Sequence, residues 1–376
     1  MKILFLTPWY PNKSNPDYGI FIRNQALALT EMHEVQVVFS TIDYSSFGFC
    51  SFKTTESIYG RIKEYRLFIK RSLPVYNQLN YFFITTWYTM KVARQFKPEL
   101  IHGSISYPGG FWAWLIAFLS RRPFVMTEHT RVIHNFRSPV HRWLSVFSMK
   151  RASAILTVST RMANEITSII GKPCHVVPNI IVFDNFKDVV PAPPRNVPQI
   201  GFLGGLDRPI KGLDILLKGI ALIKKDFILH IGGSGKLLGE YKKLAAELGI
   251  ADRCIFYGTI HHWEVPEFMS QLNFFVSASR FESFGMVILE AVACGLPVVA
   301  TRCGGPDDFI TDENGILVPT ENSKKLMEAF EWMMGHYALF DPSKLKKYVA
   351  ERFSPSVIAQ KINAIYVSVL PSLRSN

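Results

Sequence analysis

The chain has 376 residues, 48% of them hydrophobic, and a net charge of +12, a length and composition that fit two packed domains and exclude a disordered or fibrous protein. Its five cysteines (Cys50, Cys174, Cys254, Cys294, Cys303) are scattered, with no CxxC pair, which excludes a disulfide framework and a cysteine zinc site and sets the expectation of a reducing, cytoplasmic compartment. Residues 1–183 hold 21 Lys/Arg against 9 Asp/Glu, whereas residues 184–376 hold 21 of each, so the first half is predicted to meet an anionic partner: nucleic acid, an anionic lipid surface or a phosphorylated substrate.

The opening apolar run ends at Thr7-Pro8. It is too short for the core of a signal peptide and reads as a buried first strand. Further strands are predicted at 35–40, 100–103, 124–127, 154–158 and 175–178, with amphipathic helices at 21–29 and 138–150. Residues 100–120 lack charge but are interrupted by His102, Pro108 and Gly109-Gly110. The continuously apolar part, 111–119, is a buried helix rather than a membrane span. Segment 61–97 carries eight Lys/Arg, one acid (Glu64) and nine aromatic residues. Two readings stay open for it: an anionic membrane interface, or core aromatics beneath a solvated cationic face.

Residues 191–198 contain four prolines. They can continue neither a helix nor a central strand and read as an interdomain linker. Beyond them, strands are predicted at 199–203, 227–231, 254–257, 273–277, 297–300 and 315–318, alternating with helices at 211–223, 240–248, 265–271, 284–294 and 323–334. Continuous apolar strands alternating with helices mean parallel sheets covered on both faces, with ligands at the carboxyl ends of the strands.

The richest segment runs from Ser277 through Glu282 and Gly285 to Glu290. A strand end, a loop and a helix start make a phosphate seat, because first-turn amides are unpaired and carry the positive end of the helix dipole. Carboxylates beside such a seat would repel phosphate, so Glu282 and Glu290 suit sugar hydroxyls: Glu290 a ribose, Glu282 a transferred hexose. The alternative is a helix-capping Glu282 and a solvated Glu290. It is weakened by the apolar residues on both sides of Glu290, which leave an ionised carboxylate in need of a partner. Gly232-Gly233-Ser234-Gly235 and Gly204-Gly205 with Arg208 and Lys211-Gly212 also follow predicted strands. The first does not complete GxGxxG, which disfavours a dinucleotide-dependent dehydrogenase. Arg208 and Lys211 could neutralise a diphosphate leaving group. Cys303-Gly304-Gly305 adds a fourth strand-end glycine turn.

Glu282 and Glu290-Ala291, followed by Cys294-Gly295-Leu296-Pro297 and Gly304-Gly305, resemble the glutamate-pair signature of the retaining GT-B glycosyltransferases of family 4. Phe202-Leu203-Gly204-Gly205 with Lys211-Gly212, and Gly232–Gly235, resemble other donor-site elements of that family. So, more loosely, do Gly19 before the first helix, Ile101-His102-Gly103, Thr127-Glu128-His129, Val158-Ser159 and Val177-Pro178-Asn179. The resemblance implies two Rossmann-like α/β domains facing a cleft: an acceptor-binding domain at 1–183, a linker at 184–198, a nucleotide-sugar domain at 199–355 and a C-terminal helix, 356–376, returning to the first domain. It places Glu282, Lys211, Arg208 and His129 at the chemistry. It gives the donor Gly19, Gly205, Gly233, Ser234, Thr259, Ile260, Phe284, Gly285, Met286, Val287 and Glu290, and leaves His102 undecided between function and structure. Arg is common in the family where this chain has Gly205; Arg208 is the candidate substitute.

The implied reaction is retaining, metal-independent transfer of a hexose from a nucleotide-diphosphate sugar, UDP-sugar favoured and GDP-sugar second, with no cofactor. The acceptor is a glycan or a polyprenyl-linked carrier in cell-surface polysaccharide synthesis, with the protein cytoplasmic or peripheral on the inner face of the plasma membrane. Rival readings are a nucleotide-sugar epimerase, which would act without an acceptor, and a basic nucleic-acid-binding protein. No recognised nucleic-acid motif supports the latter, so no nucleic-acid partner is expected.

Overall fold

A computed structural model of the protein describes residues 1–12, 15–131 and 138–370. Its contacts divide the chain into two compact units: residues 1–180 with the C-terminal helix, and residues 181–354.

The first unit is built on an eight-stranded sheet of β1 (Lys2–Thr7), β2 (Glu34–Phe47), β3 (Phe52–Tyr59), β4 (Ile62–Arg71), β5 (Leu100–Ser104), β6 (Phe124–Glu128), β7 (Ala154–Thr157) and β8 (His175–Val176). The strand order is β3-β4-β2-β1-β5-β6-β7-β8, and every pairing is parallel except β3 with β4. Buried on both faces, the central strands need near-continuous apolar sequence, as Ile3 to Leu6 supply. Helices α1 (Ile20–Leu29) and α12 (Pro355–Val369) share one core with one face of the sheet. Helices α2 (Pro74–Phe96), α3 (Phe111–Ser120), α4 (Pro139–Arg151) and α5 (Thr160–Ile170) share a second core on the other.

Strands β3 and β4 are absent from the sequence prediction. In β4, Ile62, Tyr65, Leu67 and Ile69 are buried, and cations alternate with most of them. This is a period-two strand, and of the two readings left open for the segment it fits core aromatics beneath a cationic face. Core burial therefore accounts for Tyr65, Tyr81 and Tyr88, while Phe83 and Trp87 are exposed.

The second unit carries β9 (Gln199–Leu203), β10 (Ile228–Gly232), β11 (Cys254–Gly258), β12 (Phe274–Ser277), β13 (Val298–Thr301) and β14 (Gly315–Val318). They form one parallel sheet in the order β11-β10-β9-β12-β13-β14. Around it lie α6 (Leu213–Ile220), α7 (Leu238–Glu247), α8 (Val265–Ser270), α9 (Met286–Ala293), α10 (Ser323–His336) and α11 (Pro342–Phe353). The proline-rich segment is not a free connector. The Asn273 side-chain amide donates to the carbonyls of Ala192 (2.9 Å) and Pro193 (3.1 Å), which pins the segment to this unit. No helix among the described residues is long and apolar enough to cross a membrane, and all five cysteines are free thiols.

Candidate functional site

In a parallel sheet every strand ends on the same edge, and a crevice opens where chain order reverses direction. In the second unit the chain winds outward through β9, β10 and β11, then returns to place β12 on the other side of β9. The switch point therefore lies between β9 and β12. Lys211 follows β9 and Glu282 follows β12, and they meet across it: Lys211 Nζ lies 2.7 Å from Glu282 Oε1. Ser279 Oγ donates to the same oxygen at 2.7 Å.

The loops that hold this pair interlock. The Glu282 amide donates to the Cys303 carbonyl (3.0 Å), and the Gly305 amide donates to the Glu282 carbonyl (2.9 Å). A side chain at Gly305 would strike the Phe284 backbone. Gly285 then takes φ 93°, a left-handed conformation, and opens α9 at Met286 with no side-chain cap. The helix thus starts two residues later than predicted. The Ile288 amide donates to the Gly285 carbonyl (3.1 Å), while the amides of Met286 and Val287 have no intrahelical partner, and both of these residues are half-buried at the helix start. The Phe284 side chain is buried against Phe309 and Phe353 (5.4 and 6.1 Å between ring centres) and serves as core, which leaves its backbone for the donor contact predicted for it. Glu290 is 6% exposed inside the helix, and His262 Nδ1 lies 3.8 Å from its Oε1.

On the other side of β9, the Leu206 amide donates to the Ser234 carbonyl at 2.8 Å. A Cβ at Gly233 (φ 134°) would lie 1.9 Å from the Gly204 carbonyl oxygen, so no larger residue fits that approach. Ser234 and Thr259 join their hydroxyls at 2.7 Å, and Ile260 packs against Gly232. Gly205 faces open space. Arg208 is exposed and forms no hydrogen bond or ion pair among the described residues. Arg280, which the sequence reading left without a role, organises the turn before α6. Its two terminal nitrogens each lie 2.9 Å from an Asp214 oxygen, its Nη1 also donates to the Pro209 carbonyl, and its amide donates to the Ile210 carbonyl at 2.8 Å. It also pairs with Glu321.

The first unit has the same topology, and its switch point falls between β1 and β5. A cavity of about 250 Å³ lies beside it, lined by Trp9, Tyr18, Gln78, Tyr81, Tyr107 and His141 among others, with no Asp, Glu, Lys or Arg among the described lining residues. Tyr107 stacks on His141 at 4.4 Å and donates its hydroxyl to Gln78 Oε1 at 3.0 Å; burial raises its pKa to about 12. Gly19 (φ 69°) opens α1, where a Cβ would come within 2.7 Å of the Trp9 backbone.

His129 is 6% exposed and lies against Phe21, and neither ring nitrogen has a well-formed hydrogen bond. Burial pushes its pKa down to about 3, with Asn179 opposing the shift. It is therefore a neutral imidazole at physiological pH. His102 is structural: it is fully buried, stacked on Phe5 and bonded to Tyr366 Oη and to Thr127 Oγ1 (2.7 Å). Burial lowers its pKa to about 3 as well.

Known proteins resolve the family. The profile described as Glycosyl transferases group 1 matches residues 197–336, and that of Glycosyltransferase Family 4 matches residues 19–184. The chain belongs to the family 4, group 1 glycosyltransferases. An uncharacterized glycosyltransferase of Methanocaldococcus jannaschii is 28% identical over 235 residues, which is 61% of this chain and 64% of that protein. N-acetylgalactosamine-N,N'-diacetylbacillosaminyl-diphospho-undecaprenol 4-alpha-N-acetylgalactosaminyltransferase of Campylobacter jejuni is 28% identical over 211 residues, covering 54% of this chain and 56% of that one. The chain thus spans less than two thirds of both relatives. HepE of Anabaena, solved in complex with UDP-glucose, superposes with a TM-score of 0.72 over 98% of this chain and 100% of that one at 20% identity. That likeness shows the GT-B fold.

Within this glycosyltransferase, motif reading singled out the strand-end glycines and both glutamates because their types and spacing are local. It missed Arg280, Asp214 and His262, whose partners lie 66, 66 and 28 positions away.

Proposed function

We propose that this glycosyltransferase moves a hexose from a nucleotide-diphosphate sugar, UDP-sugar first and GDP-sugar second, onto a glycan or polyprenyl-linked acceptor, with retention and without a metal. The observation that carries the reading is the Lys211–Glu282 pair across the switch point, with Glu282 four residues before the uncapped start of α9. A diphosphate entering there would meet one ammonium and a set of unpaired amides. Lys211 exchanges Glu282 for the leaving diphosphate, which frees the carboxylate to accept hydrogen bonds from the hexose. In the step itself the bond from the anomeric carbon to the diphosphate oxygen breaks as the acceptor oxygen bonds to that carbon on the same face. The acceptor proton passes to the departing phosphate. Lys211 and the amides hold the growing negative charge, which is the role a metal would otherwise fill. Arg208, exposed and unpaired among the described residues, is the candidate for a second cation. Glu290 binds the ribose, and Ser234 and Thr259 line the nucleotide side.

The acceptor is assigned to the first unit. The uncharged, aromatic cavity at its switch point suits the apolar faces and hydroxyls of a sugar ring. Neutral His129 can give or take a hydrogen bond without bringing charge. The C. jejuni relative, by its name, acts on a diphospho-undecaprenol substrate, which supports a lipid-linked acceptor here.

A thermal-shift series with UDP-, GDP- and ADP-sugars tests the donor, because a ligand that binds the folded state raises its melting temperature. Stabilisation by a UDP-sugar, undiminished by EDTA, is expected. No stabilisation by any nucleotide sugar overturns the proposal. Turnover of the sugar without an acceptor would instead point to an epimerase, and nuclear magnetic resonance of the glycoside product reads the anomeric outcome.

A further inference from the structure

Between Glu64 and Glu165 the chain carries 14 Lys/Arg and only two acids, Glu99 and Glu128. That imbalance equals the net charge of the whole protein. Helices α2, α3 and α4 contain no acidic residue, and they pack side by side over one face of the first sheet. Their inner sides supply Tyr81, Ile84, Tyr88, Trp112, Ile116 and Met149 to the core. Their outer sides are also apolar. On α2, Leu79, Phe83 and Trp87 recur every four residues and form an exposed line, with Phe83 at 71%. Phe118 (67%) lies on α3 and Trp143 (60%) on α4.

These residues are not isolated. Half-buried rings connect them across the helices: Phe82 to Phe111 (5.3 Å), Phe111 to Trp114 (5.4 Å), Trp114 to Phe147 (4.6 Å) and Phe147 to Trp143 (5.1 Å). Single exposed apolar side chains are ordinary on a soluble protein, whereas a connected ridge marks an interaction surface.

Cations frame the ridge. Lys91 continues the α2 line by another four residues, Arg94 follows it, Arg121 and Arg122 end α3, and Lys150 ends α4. None of these five forms an ion pair among the described residues. The Arg151 guanidinium lies 3.9 Å from the Phe147 ring centre. Three cations around β4 behave differently: Lys63 pairs with Glu56 (3.1 Å), Arg66 with Glu64 (2.7 Å) and Arg61 with Glu31 (3.3 Å). Lys70 and Arg71 at the end of β4 form no ion pair among the described residues, and the rest of this unneutralised charge lies on and beside the helices.

We infer that the outer face of α2, α3 and α4 docks on an anionic lipid bilayer, with its exposed Phe and Trp side chains at headgroup depth and its unpaired cations on the lipid phosphates. Charge complementarity selects this occupant. Each Lys or Arg near an anionic bilayer strengthens binding about fivefold, and aromatic side chains favour the interface. Nucleic acid would use the cations but leave the exposed Leu, Val and Phe without a partner. The purpose assigned to docking, delivery of the enzyme to a lipid-linked acceptor, rests on the proposed function; the binding itself does not.

Co-sedimentation with vesicles of equal parts phosphatidylglycerol and phosphatidylcholine, against pure phosphatidylcholine, tests the inference. The full chain is expected to pellet with the anionic vesicles at low salt, less so as salt rises, and to stay in solution with the neutral ones. Arg121→Gln with Arg122→Gln should weaken binding about twentyfold. Phe118→Ser with Trp143→Ser, both exposed, should weaken it at an unchanged melting temperature. Lys324→Gln with Lys344→Gln, on the second unit, should leave it intact. No pelleting of the wild type with anionic vesicles overturns the inference, as does equal pelleting with both vesicle types. A dimer in sedimentation velocity that the Phe118/Trp143 variant dissolves would give the face to a second copy instead. Donor thermal shifts run on the same variants keep the two readings apart: vesicle binding without donor binding refutes the transferase and not the docking.

Discussion

The two switch points are built on the same topology and carry opposite chemistry. In the second unit the crevice between β9 and β12 is spanned by a 2.7 Å ion pair and edged by glycine turns that bring backbone amides forward. In the first unit the corresponding place holds tyrosines, a tryptophan and a glutamine, with no charged Asp, Glu, Lys or Arg among the described lining residues, and the nearby His129 is kept neutral by burial. A shared fold therefore fixes where a ligand sits, and the side chains fix which part of the reaction each place can serve. Under the proposed function, charge is handled by the second unit and neutral sugar by the first.

The strongest way to break that division is Lys211→Met. Losing the one ammonium paired across the crevice should cut turnover about 100- to 1,000-fold, the range seen when a donor to a developing oxyanion is removed. The single variant strands Glu282, which is 9% exposed, so the double variant Lys211→Met with Glu282→Gln controls for folding. A wild-type rate in either would remove the pair from the chemistry.

The next effect belongs to the neutral side and is read as stability. An unfolded histidine takes its proton near pH 6.5, whereas His102 and His129 resist until about pH 3. Between those values the unfolded chain binds more protons, so stability falls as pH falls below 6.5 and is flat above it. Two such groups amount to about 3 kcal/mol between pH 6.5 and 5. Urea melts of the wild type and of His102→Gln separate this from the carboxylates: the fall in stability between pH 6.5 and 5 should be smaller in the variant by about 1.5 kcal/mol. Identical slopes would mean that His102 is not held neutral.

How far the sequence carries this comparison differs by unit. The parallel strands of both sheets, β4 apart, were readable because buried strands are continuously apolar, as in Phe274-Phe275-Val276. The glycines at 233 and 285 were readable because a positive φ or a close backbone approach demands them. The β3–β4 hairpin was not, since β3 is exposed along most of its length and gives no hydrophobic signal. The aromatic cavity was not either. Its walls come from the ends of β1 and β2, from α2 and from residues 107 and 108, and only the strand order brings these together. The Glu282 loop was located correctly, but its partner was not, because the 71-residue separation from Lys211 is a property of the switch point and not of either motif.

Arg280→Lys sharpens the charged side. It keeps a cation but loses the fork that grips Asp214 through both oxygens and holds the Pro209 carbonyl before α6. Asp214, whose carboxyl is held below its usual range by hydrogen bonds from Arg280, should titrate closer to the ordinary value. With the Lys211 turn less firmly placed, turnover should drop about tenfold while the donor still binds, because a misplaced cation loses more in the transition state than in the ground state. A fall in donor affinity alone, at unchanged turnover, would assign Arg280 to binding.

The smallest effect tests the neutral side directly. Tyr107→Ala removes the ring that stacks on His141 and the hydroxyl that bonds Gln78. An aromatic contact is worth about 1 kcal/mol, so the acceptor KM should rise about fivefold. The donor thermal shift should not move, because no charge has changed and the second unit is untouched. If the donor shift falls instead and the acceptor KM stays fixed, the cavity belongs to the nucleotide sugar, and the division of labour between the two switch points is wrong at its neutral end.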